Sequence, residues 1–357
     1  MRCGVFRRTK SVVGLDIGSS AVKAVELKPA GRGHRVVAFG TEPIPPDSIV
    51  DGAIIDGTAV ADAIRQLFDR QKIKTREVAA SLSGSAVIVK KISLPAMNDA
   101  ELSESIYWEA EQYIPFDIQD VSLDYQVVGD RPANGDGGSM DVLLVAAKKE
   151  KIADYTGVIT QAGVTPVLVD VDAFAIQNAY EVNYGIEPGA VVALLNAGAS
   201  AININIISGE QSLFTRDISL GGTAYTEALQ RELNLSHEHA EQLKKGVPAE
   251  GMDIETARPI LQSITENVLL EIQKTFDFFR STTGFDRIDA VVVCGGTCRV
   301  DGFTETLAER FDARVEEFDP FRNIAFDPAK YGVVSAGDVA ATSVVAVGLA
   351  LRRVGDR

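Results

Sequence analysis

Two segments, one early in each half of the chain, share a single pattern. Residues 15–27 read LDIGSSAVKAVEL, and residues 195–207 read LNAGASAININII. In each, a strand-like run reaches a polar residue, a turn of glycine and small residues follows, and a second strand-like run begins. The aligned positions are Leu15 with Leu195, Asp16 with Asn196, Gly18 with Gly198, and Ser20 with Ser200. The repeat predicts an internal structural duplication, with two hairpins that face each other across a cleft.

The first hairpin turn carries groups that bind anions. A Gly-Ser-Ser tip presents consecutive backbone N–H groups, and the hydroxyls of Ser19 and Ser20 add further donors. Asp16 at the strand end is suited to hold magnesium through water, and Lys23 is placed to reach the same phosphates. Taken alone, this stretch predicts either an ordinary β-turn or a phosphate loop.

A third glycine turn lies in residues 291–303, VVVCGGTCRVDGF. A buried strand, then Gly295, Gly296 and Thr297, then a helix, is the shape of a turn that faces a nucleotide. One Gly-Gly turn is a weak signal. Three glycine turns, two of them duplicated, favour a nucleotide site.

Composition limits the classes of partner. The chain has 357 residues, enough for more than one core, and a formal net charge of −15, which disfavours nucleic acid and bare anionic lipid. Its cysteines are Cys3, Cys294 and Cys298, whose spacing fits neither a zinc ribbon nor a disulfide framework, so a reducing compartment is expected. No apolar run reaches transmembrane length. These features predict a cytoplasmic protein that meets a membrane only through partners.

The order of the motifs GLDIGSSAVK, LNAGASAINI, SLGGTAYTEAL, HAEQLK and VVVCGGTCRVDGF resembles the actin-like ATPase superfamily. The segment YWEAEQYIPFDIQDVSLDYQVV narrows the resemblance to the PilM family of type IV pilus assembly proteins, over nearly the whole chain. The resemblance implies an α/β, actin-like ATPase fold. In it, two duplicated α/β domains, with mixed sheets flanked by helices, surround a nucleotide cleft and carry an FtsA-like inserted subdomain.

The resemblance also implies a division into four subdomains. The expected ranges are 10–90, 150–189 and 336–357 for subdomain 1A, 91–149 for the inserted subdomain 1C, 190–222 and 286–335 for subdomain 2A, and 223–285 for subdomain 2B.

The resemblance implies ATP or ADP with Mg²⁺ as ligands, and it assigns site residues by position. The first phosphate loop and its metal-side acid are Asp16, Gly18, Ser19, Ser20 and Lys23. The second phosphate loop is Asn196, Gly198, Ala199 and Ser200. The turn toward the nucleotide sugar and phosphates is Gly221, Gly222 and Thr223. The helix residues near ribose and adenine are Glu241 and Lys244, and the adenosine loop is Gly295, Gly296 and Thr297. Asp172 falls where hydrolytic relatives orient the attacking water.

One position departs from the hydrolytic pattern. Hydrolytic relatives carry Asp where this chain has Asn196. Asp16 and Asn196 are expected to hold Mg²⁺ through water, although Asn keeps an oxygen but loses the charge that helps hold a water-coordinated cation. We therefore expect ATP to bind and close the cleft, with slow or absent hydrolysis.

The resemblance further implies an adaptor in the inner-membrane assembly complex of the pilus. Its expected partners are the cytoplasmic N-terminal tail of PilN, the pilus motor ATPases and inner-membrane platform proteins, so the chain would lie at the inner membrane through them. Residues 83–91 and 142–147 are candidates to line the tail groove; the alternative is that they are ordinary sheet strands.

Two other functions remain open. One is a filament-forming cytoskeletal ATPase like FtsA or MreB, although the sequence ends in GLALRRVGDR, without FtsA's flexible linker and amphipathic membrane helix. The other is a small-molecule kinase on the same fold, although no Asp in a suitable context stands out to activate a hydroxyl.

Two aromatic residues in the insert are ambiguous from sequence. Tyr107 and Trp108 follow Ile106 on an expected helix that Asn98 and Asp99 would cap. They predict either packing into the core of the subdomain or a surface that faces a partner.

Overall fold

The computed structural model describes residues 11–129 and 138–355, so Cys3 and both outermost subdomain boundaries lie outside the described residues. The strands are β1 (Val13–Ile17), β2 (Ala21–Ala30), β3 (Gly33–Pro43), β4 (Ile49–Val50), β5 (Ala53–Ile54), β6 (Glu77–Leu82), β7 (Val87–Pro95), β8 (Val121–Val128), β9 (Ser139–Lys148), β10 (Thr165–Val171), β11 (Val191–Ala197), β12 (Ile202–Ser208), β13 (Gln211–Ile218), β14 (Ala290–Cys294), β15 (Arg314–Glu317) and β16 (Ile324–Ala325). The helices are α1 (Gly57–Arg70), α2 (Asp99–Glu111), α3 (Lys149–Gln161), α4 (Asp172–Tyr184), α5 (Gly222–Leu233), α6 (His237–Lys244), α7 (Ile254–Thr283), α8 (Phe303–Arg310) and α9 (Gly337–Leu351).

The two largest sheets repeat one plan. The first has the order β10-β6-β1-β2-β3-β16, and the second has the order β13-β12-β11-β14-β15. In each, an antiparallel meander (β1-β2-β3 or β11-β12-β13) lies beside parallel strands. Both first hairpins also share one register, since Asp16 is opposite Lys23 and Asn196 is opposite Asn203. The predicted duplication and the duplicated α/β fold with mixed sheets are confirmed.

Helices α4 and α9 pack between the two halves. The apolar core around them includes Val25 of the first sheet and Val192 and Val292 of the second. Small residues let the backbones of α4 and α9 approach closely. At Gly348 the approach is so close that a Cβ would lie 1.7 Å from the Ala175 carbonyl oxygen. The interior of the molecule therefore depends on a helix near the end of the sequence.

The insert forms a sheet of its own, in the order β7-β9-β8. Helix α2 covers one face of this sheet, burying Leu102, Ile106 and Ala110 among strand residues such as Val142 and Leu144. Asn98 caps α2 as expected, and it forms a reciprocal capping box with a glutamate three residues along.

The proposed four-subdomain division stays a prediction. Strand β16 falls within the range assigned to subdomain 2A, yet it pairs with β3 in the first sheet. Within the described part of the chain, no helix combines the length and apolarity needed to cross a membrane.

Candidate nucleotide site

The tips of the two duplicated hairpins meet. The hydroxyl of Ser19 donates to the hydroxyl of Ser200 at 3.1 Å, across the gap between the two large sheets. Each turn closes in the same way, with the Gly18 N–H bonded to the Ala21 carbonyl at 3.2 Å and the Gly198 N–H bonded to the Ala201 carbonyl at 2.9 Å. The duplication therefore brings both predicted phosphate loops, including Ser20 and Ala199, to one place.

The first hairpin holds an ion pair close to its turn. Lys23 donates to the Asp16 carboxylate at 2.8 Å, and both side chains are largely shielded from solvent. Their opposition across β1 and β2 follows from the register of the hairpin. A lysine and an acid are thus fixed just below the Gly18 turn, within reach of whatever the tip binds.

The second hairpin holds neutral amides at the same positions. Asn196 donates to the side-chain oxygen of Asn203 at 3.0 Å, and Asn203 donates to the Asp217 carboxylate at 2.8 Å. The other Asp217 oxygen accepts from the backbone N–H of Gly84, which lies on the loop between β6 and β7. A hydrogen-bonded chain therefore runs from the second hairpin to the loop that leads into the inserted sheet.

The turn at residues 221–223 is bonded directly to the second hairpin. The N–H of Gly222 donates to the Gly198 carbonyl at 3.0 Å, and the N–H of Thr223 donates to the Ala199 carbonyl at 2.8 Å. A Cβ at Gly221 would lie 2.6 Å from both carbonyl oxygens. Only glycine permits this approach, which places the start of α5 against the hairpin tip.

A buried ion pair supports that turn from below. Lys244 donates to the Gly222 carbonyl at 3.2 Å and to the Thr226 hydroxyl at 2.9 Å, and it pairs with Glu241. Burial lowers the pKa of Lys244, an effect that the Glu241 carboxylate opposes. Burial alone would raise the pKa of Glu241, but Lys244 and the Thr226 hydroxyl outweigh burial and lower it.

The third glycine turn also contacts the second hairpin, next to the turn at residues 221–223. Gly295 has φ of 94° and its Cα lies so near β11 that a Cβ would be 2.2 Å from the Ala197 carbonyl oxygen. The buried Thr297 hydroxyl donates to the Gly198 carbonyl at 2.8 Å. Gly296, between them, is exposed and has no heavy atom within 4 Å of a Cβ position. This turn thus leaves its backbone open to solvent at Gly296.

Asp172 begins α4, where β10 ends beside β6. It accepts a hydrogen bond from the Ser81 hydroxyl. Burial and the nearby Asp16 carboxylate raise the pKa of Asp172 to about 6, while hydrogen bonds from Ser81 and Ser83 partly oppose the shift and Asp217 adds to it. The carboxylates of Asp16 on β1 and Asp172 at the start of α4 are therefore close enough to interact, an arrangement suited to a shared cation or water.

Sequence reasoning missed several polar residues of this site, among them Ser81, Asn203 and Asp217. The repeat itself could have identified Asn203, because extending the alignment of the two hairpins aligns Asn203 with Lys23. Ser81 and Asp217 carry no such signal, since they reach the site only through the pairing of β6 with β10 and of β13 with β12.

Comparison with known proteins settles the family. A family model described as type IV pilus assembly protein PilM matches residues 14–354. The chain belongs to the PilM family. A chain of the solved PilM-PilN type IV pilus biogenesis complex is 28% identical to it, with a TM-score of 0.86 over 96% of this chain and 98% of that one.

More distant solved structures share the fold. Ethanolamine utilization protein EutJ from Carboxydothermus hydrogenoformans is 15% identical, with a TM-score of 0.57 over 96% of this chain and 89% of that one. MreB5 of Spiroplasma citri bound to ADP is 15% identical, with a TM-score of 0.53 over 95% of each chain. The actin-like fold expected for this family is confirmed, and the PilM resemblance seen in the sequence was correct.

Proposed function

We propose that this chain is a cytoplasmic, nucleotide-binding adaptor of type IV pilus assembly. It binds ATP or ADP between the duplicated hairpins and binds the cytoplasmic tail of a PilN-like membrane protein. The observation that carries the nucleotide half is the meeting of the hairpin tips at Ser19 and Ser200, with the turns at Gly222 and Gly295 fastened to the same tip.

In this proposal, different residues of the site bind different parts of the nucleotide. The N–H groups of both hairpin tips and the Lys23 ammonium bind the phosphates, as amide-lined turns bind anions. The open backbone at Gly296 admits the nucleoside, and the Glu241–Lys244 pair fixes the turn beside it. A bound Mg²⁺ would neutralise phosphate charge, and Asp16 and Asp172 are the carboxylates placed to hold it through water.

We also propose that hydrolysis is slow or absent. Asn196 engages Asn203 through its amide and brings no negative charge to the second hairpin. Asp172, whose pKa burial raises to about 6, then remains as a carboxylate suited to orienting water. ATP then serves mainly to hold the two halves in one arrangement.

The partner half of the proposal is supported by the family and by the relative solved with PilN. The tail would bind as an extended segment beside the inserted sheet β7-β9-β8, linking the chain to the inner membrane and onward to the pilus motor and platform proteins. The candidate segments at 83–91 and 142–147 overlap β7 and β9, which pair with each other in this sheet.

A side chain added at Gly296 tests the nucleotide half without disturbing the fold. Gly296→Leu projects into open space, so the protein stays folded while the nucleoside is obstructed. Titration of a fluorescent ATP analogue should show binding to the parent chain and at least about tenfold weaker binding to the variant. Gly157→Leu, also at an exposed glycine with no neighbour within 4 Å, is the matched control and should bind normally.

A PilN tail peptide tests the partner half separately. The peptide is titrated into the parent chain and into Gly296→Leu, with and without ATP. Absence of peptide binding in every case, with nucleotide binding intact, would remove the adaptor function and leave the nucleotide site standing. The reverse result would remove the nucleotide site alone.

A further inference from the structure

Helix α2 exposes two aromatic side chains on the surface of the insert. Trp108, the only tryptophan of the chain, is 75% exposed, and Tyr107 is 52% exposed. Both therefore lie outside the core of the subdomain, which resolves the ambiguity that their sequence left. Large aromatic groups displayed this openly are typical of binding anchors.

The aromatics share a face with acids. Glu104, Tyr107, Trp108 and Glu111 are three or four positions apart, so they are neighbours on one side of the helix. The buried residues of α2, at Leu102, Ile106 and Ala110, lie on the opposite side. We call Glu104, Tyr107, Trp108 and Glu111 the outer face of α2.

The charge on this face is uncompensated. Helix α2 contains no lysine or arginine, and in the described part of the chain Glu104 and Glu111 form no ion pair or side-chain hydrogen bond. Glu111 ends the helix, where the negative end of the helix dipole disfavours a carboxylate. A cation placed here would relieve both repulsions.

The same insert contains two contacts between a lysine ammonium and an aromatic ring. Lys90 lies 5.2 Å from the ring centre of Tyr113, and Lys148 lies 4.4 Å from that of Phe116. Among described residues, no lysine or arginine lies over Tyr107 or Trp108. The outer face thus has the ring and the carboxylates of a cation site, and no described residue of this chain supplies the cation.

We propose that the outer face of α2 is a docking surface for an arginine-bearing segment of a partner protein. The guanidinium stacks on the Trp108 ring, and Glu104 and Glu111 pair with it or with a second basic side chain. Arginine fits better than lysine because its planar group stacks and donates in a fork. This surface lies on α2, whereas the residues of the nucleotide site and the segments proposed to bind the tail lie on other elements.

The fluorescence of the single tryptophan, Trp108, can be used to test this proposal. Since Trp108 is the only indole in the chain, its fluorescence reports binding at this face even if a basic peptide also binds elsewhere on an acidic protein. The probe is a short alanine peptide with spaced arginines, and its control is the same peptide with neutral citrulline in place of arginine. We expect a saturable change in emission with the arginine peptide alone.

Matched variants separate this face from general charge attraction. Glu104→Gln with Glu111→Gln should weaken arginine-peptide binding about three- to tenfold. Glu305→Gln with Glu309→Gln removes the same charge from exposed positions of α8 and should leave binding unchanged. Equal losses in both pairs, equal binding of the citrulline peptide, or no emission change would each overturn the proposal. Self-association that Trp108→Ala abolishes would overturn it in favour of a second copy.

Discussion

At the scale of single residues, the duplicated hairpins share one geometry, but one pairs two charged side chains where the other pairs two amides. Asp16 and Lys23 face each other across the first, and Asn196 and Asn203 occupy the same places in the second. Each pair is neutral and each is hydrogen-bonded. The change at Asn196 is thus matched by a change at its partner, so the two positions form one unit.

Restoring the acid alone should destabilise the second hairpin. In Asn196→Asp, the side chain can no longer donate to the Asn203 oxygen, and two acceptors face each other at a cost of about 1–3 kcal/mol. Adding Asn203→Lys recreates the ion pair of the first hairpin and places the ammonium near Asp217. Urea unfolding of the single and double variants should show at least half of the loss recovered. Independent, additive losses would refute the coupling.

The ATPase rate of the same variants tests the proposed slow turnover. Asn196→Asp with Asn203→Lys should hydrolyse ATP faster than the parent in Mg²⁺, because the second hairpin regains a carboxylate. A parent chain that already turns over quickly and gains nothing would contradict our account of Asn196.

The pH dependence of stability should reveal Asp172. Its folded-state pKa, about 6, is above the ordinary 3.8, so the folded protein holds a proton that the unfolded chain has released between these values. Stability therefore falls as pH rises from about 4 to about 6, and the penalty persists above that range. Asp172→Asn should raise the melting temperature by about 1–3 °C at pH 7.5 and hardly at all at pH 4. A rise of equal size at both pH values would show that charge is not the cause.

At the scale of elements, close packing rather than helix propensity decides where glycine is required. Gly348 and Gly157 both lie inside helices, α9 and α3. A Cβ at Gly348 would overlap the Ala175 carbonyl oxygen of α4, whereas one at Gly157 would meet nothing within 4 Å. The same substitution should therefore have opposite effects.

Gly157→Ala should stabilise the protein by about 0.5–1 kcal/mol, since alanine restricts the unfolded chain and favours the helix. Gly348→Ala should be strongly destabilising, because α4 and α9 must separate to admit the methyl group. Thermal unfolding of both variants measures the contrast. A well-tolerated Gly348→Ala would show that the α4–α9 contact is looser than described.

Much of the fold follows from local pattern, and the exceptions share one cause. The helical spacing of Ile272, Phe276 and Phe279 and the small apolar residues of α9 predict helices that the structure contains. Strand β16 has only Ile324 and Ala325, and it exists because β3 offers an unpaired edge. Such short strands have no periodicity to read, since tertiary pairing alone creates them. Ser81 and Asp217 in the site escaped sequence reasoning for the same reason.

At the scale of the whole molecule, the contact between Ser19 and Ser200 joins the two halves across the cleft. If phosphates bind between the hairpin tips, these residues must separate to admit them. The hydroxyl oxygens are 3.1 Å apart, near enough for a disulfide of about 2 Å after small adjustments.

A chain with Ser19→Cys, Ser200→Cys and Cys3→Ser should cross-link on mild oxidation. Oxidation should weaken ATP-analogue binding at least about tenfold, and reduction of the same sample should restore it. Cys294 and Cys298 interfere little, because burial raises the pKa of both thiols and keeps them protonated. Undiminished binding in the oxidised form would place the nucleotide elsewhere.

The pairing of β16 with β3, and the packing of α9 against β1, have a consequence for biosynthesis. The ribosome makes β1, β2 and β3 before the second large sheet, but the edge and cover they require arrive only with residues 324–351, after that sheet. The second large sheet is continuous in sequence from β11 to β15, so it has all its strands earlier. In the nascent chain, the second large sheet can therefore fold before the first. Until residues 324–351 are made, β1, β2 and β3 expose apolar surface and need protection from aggregation.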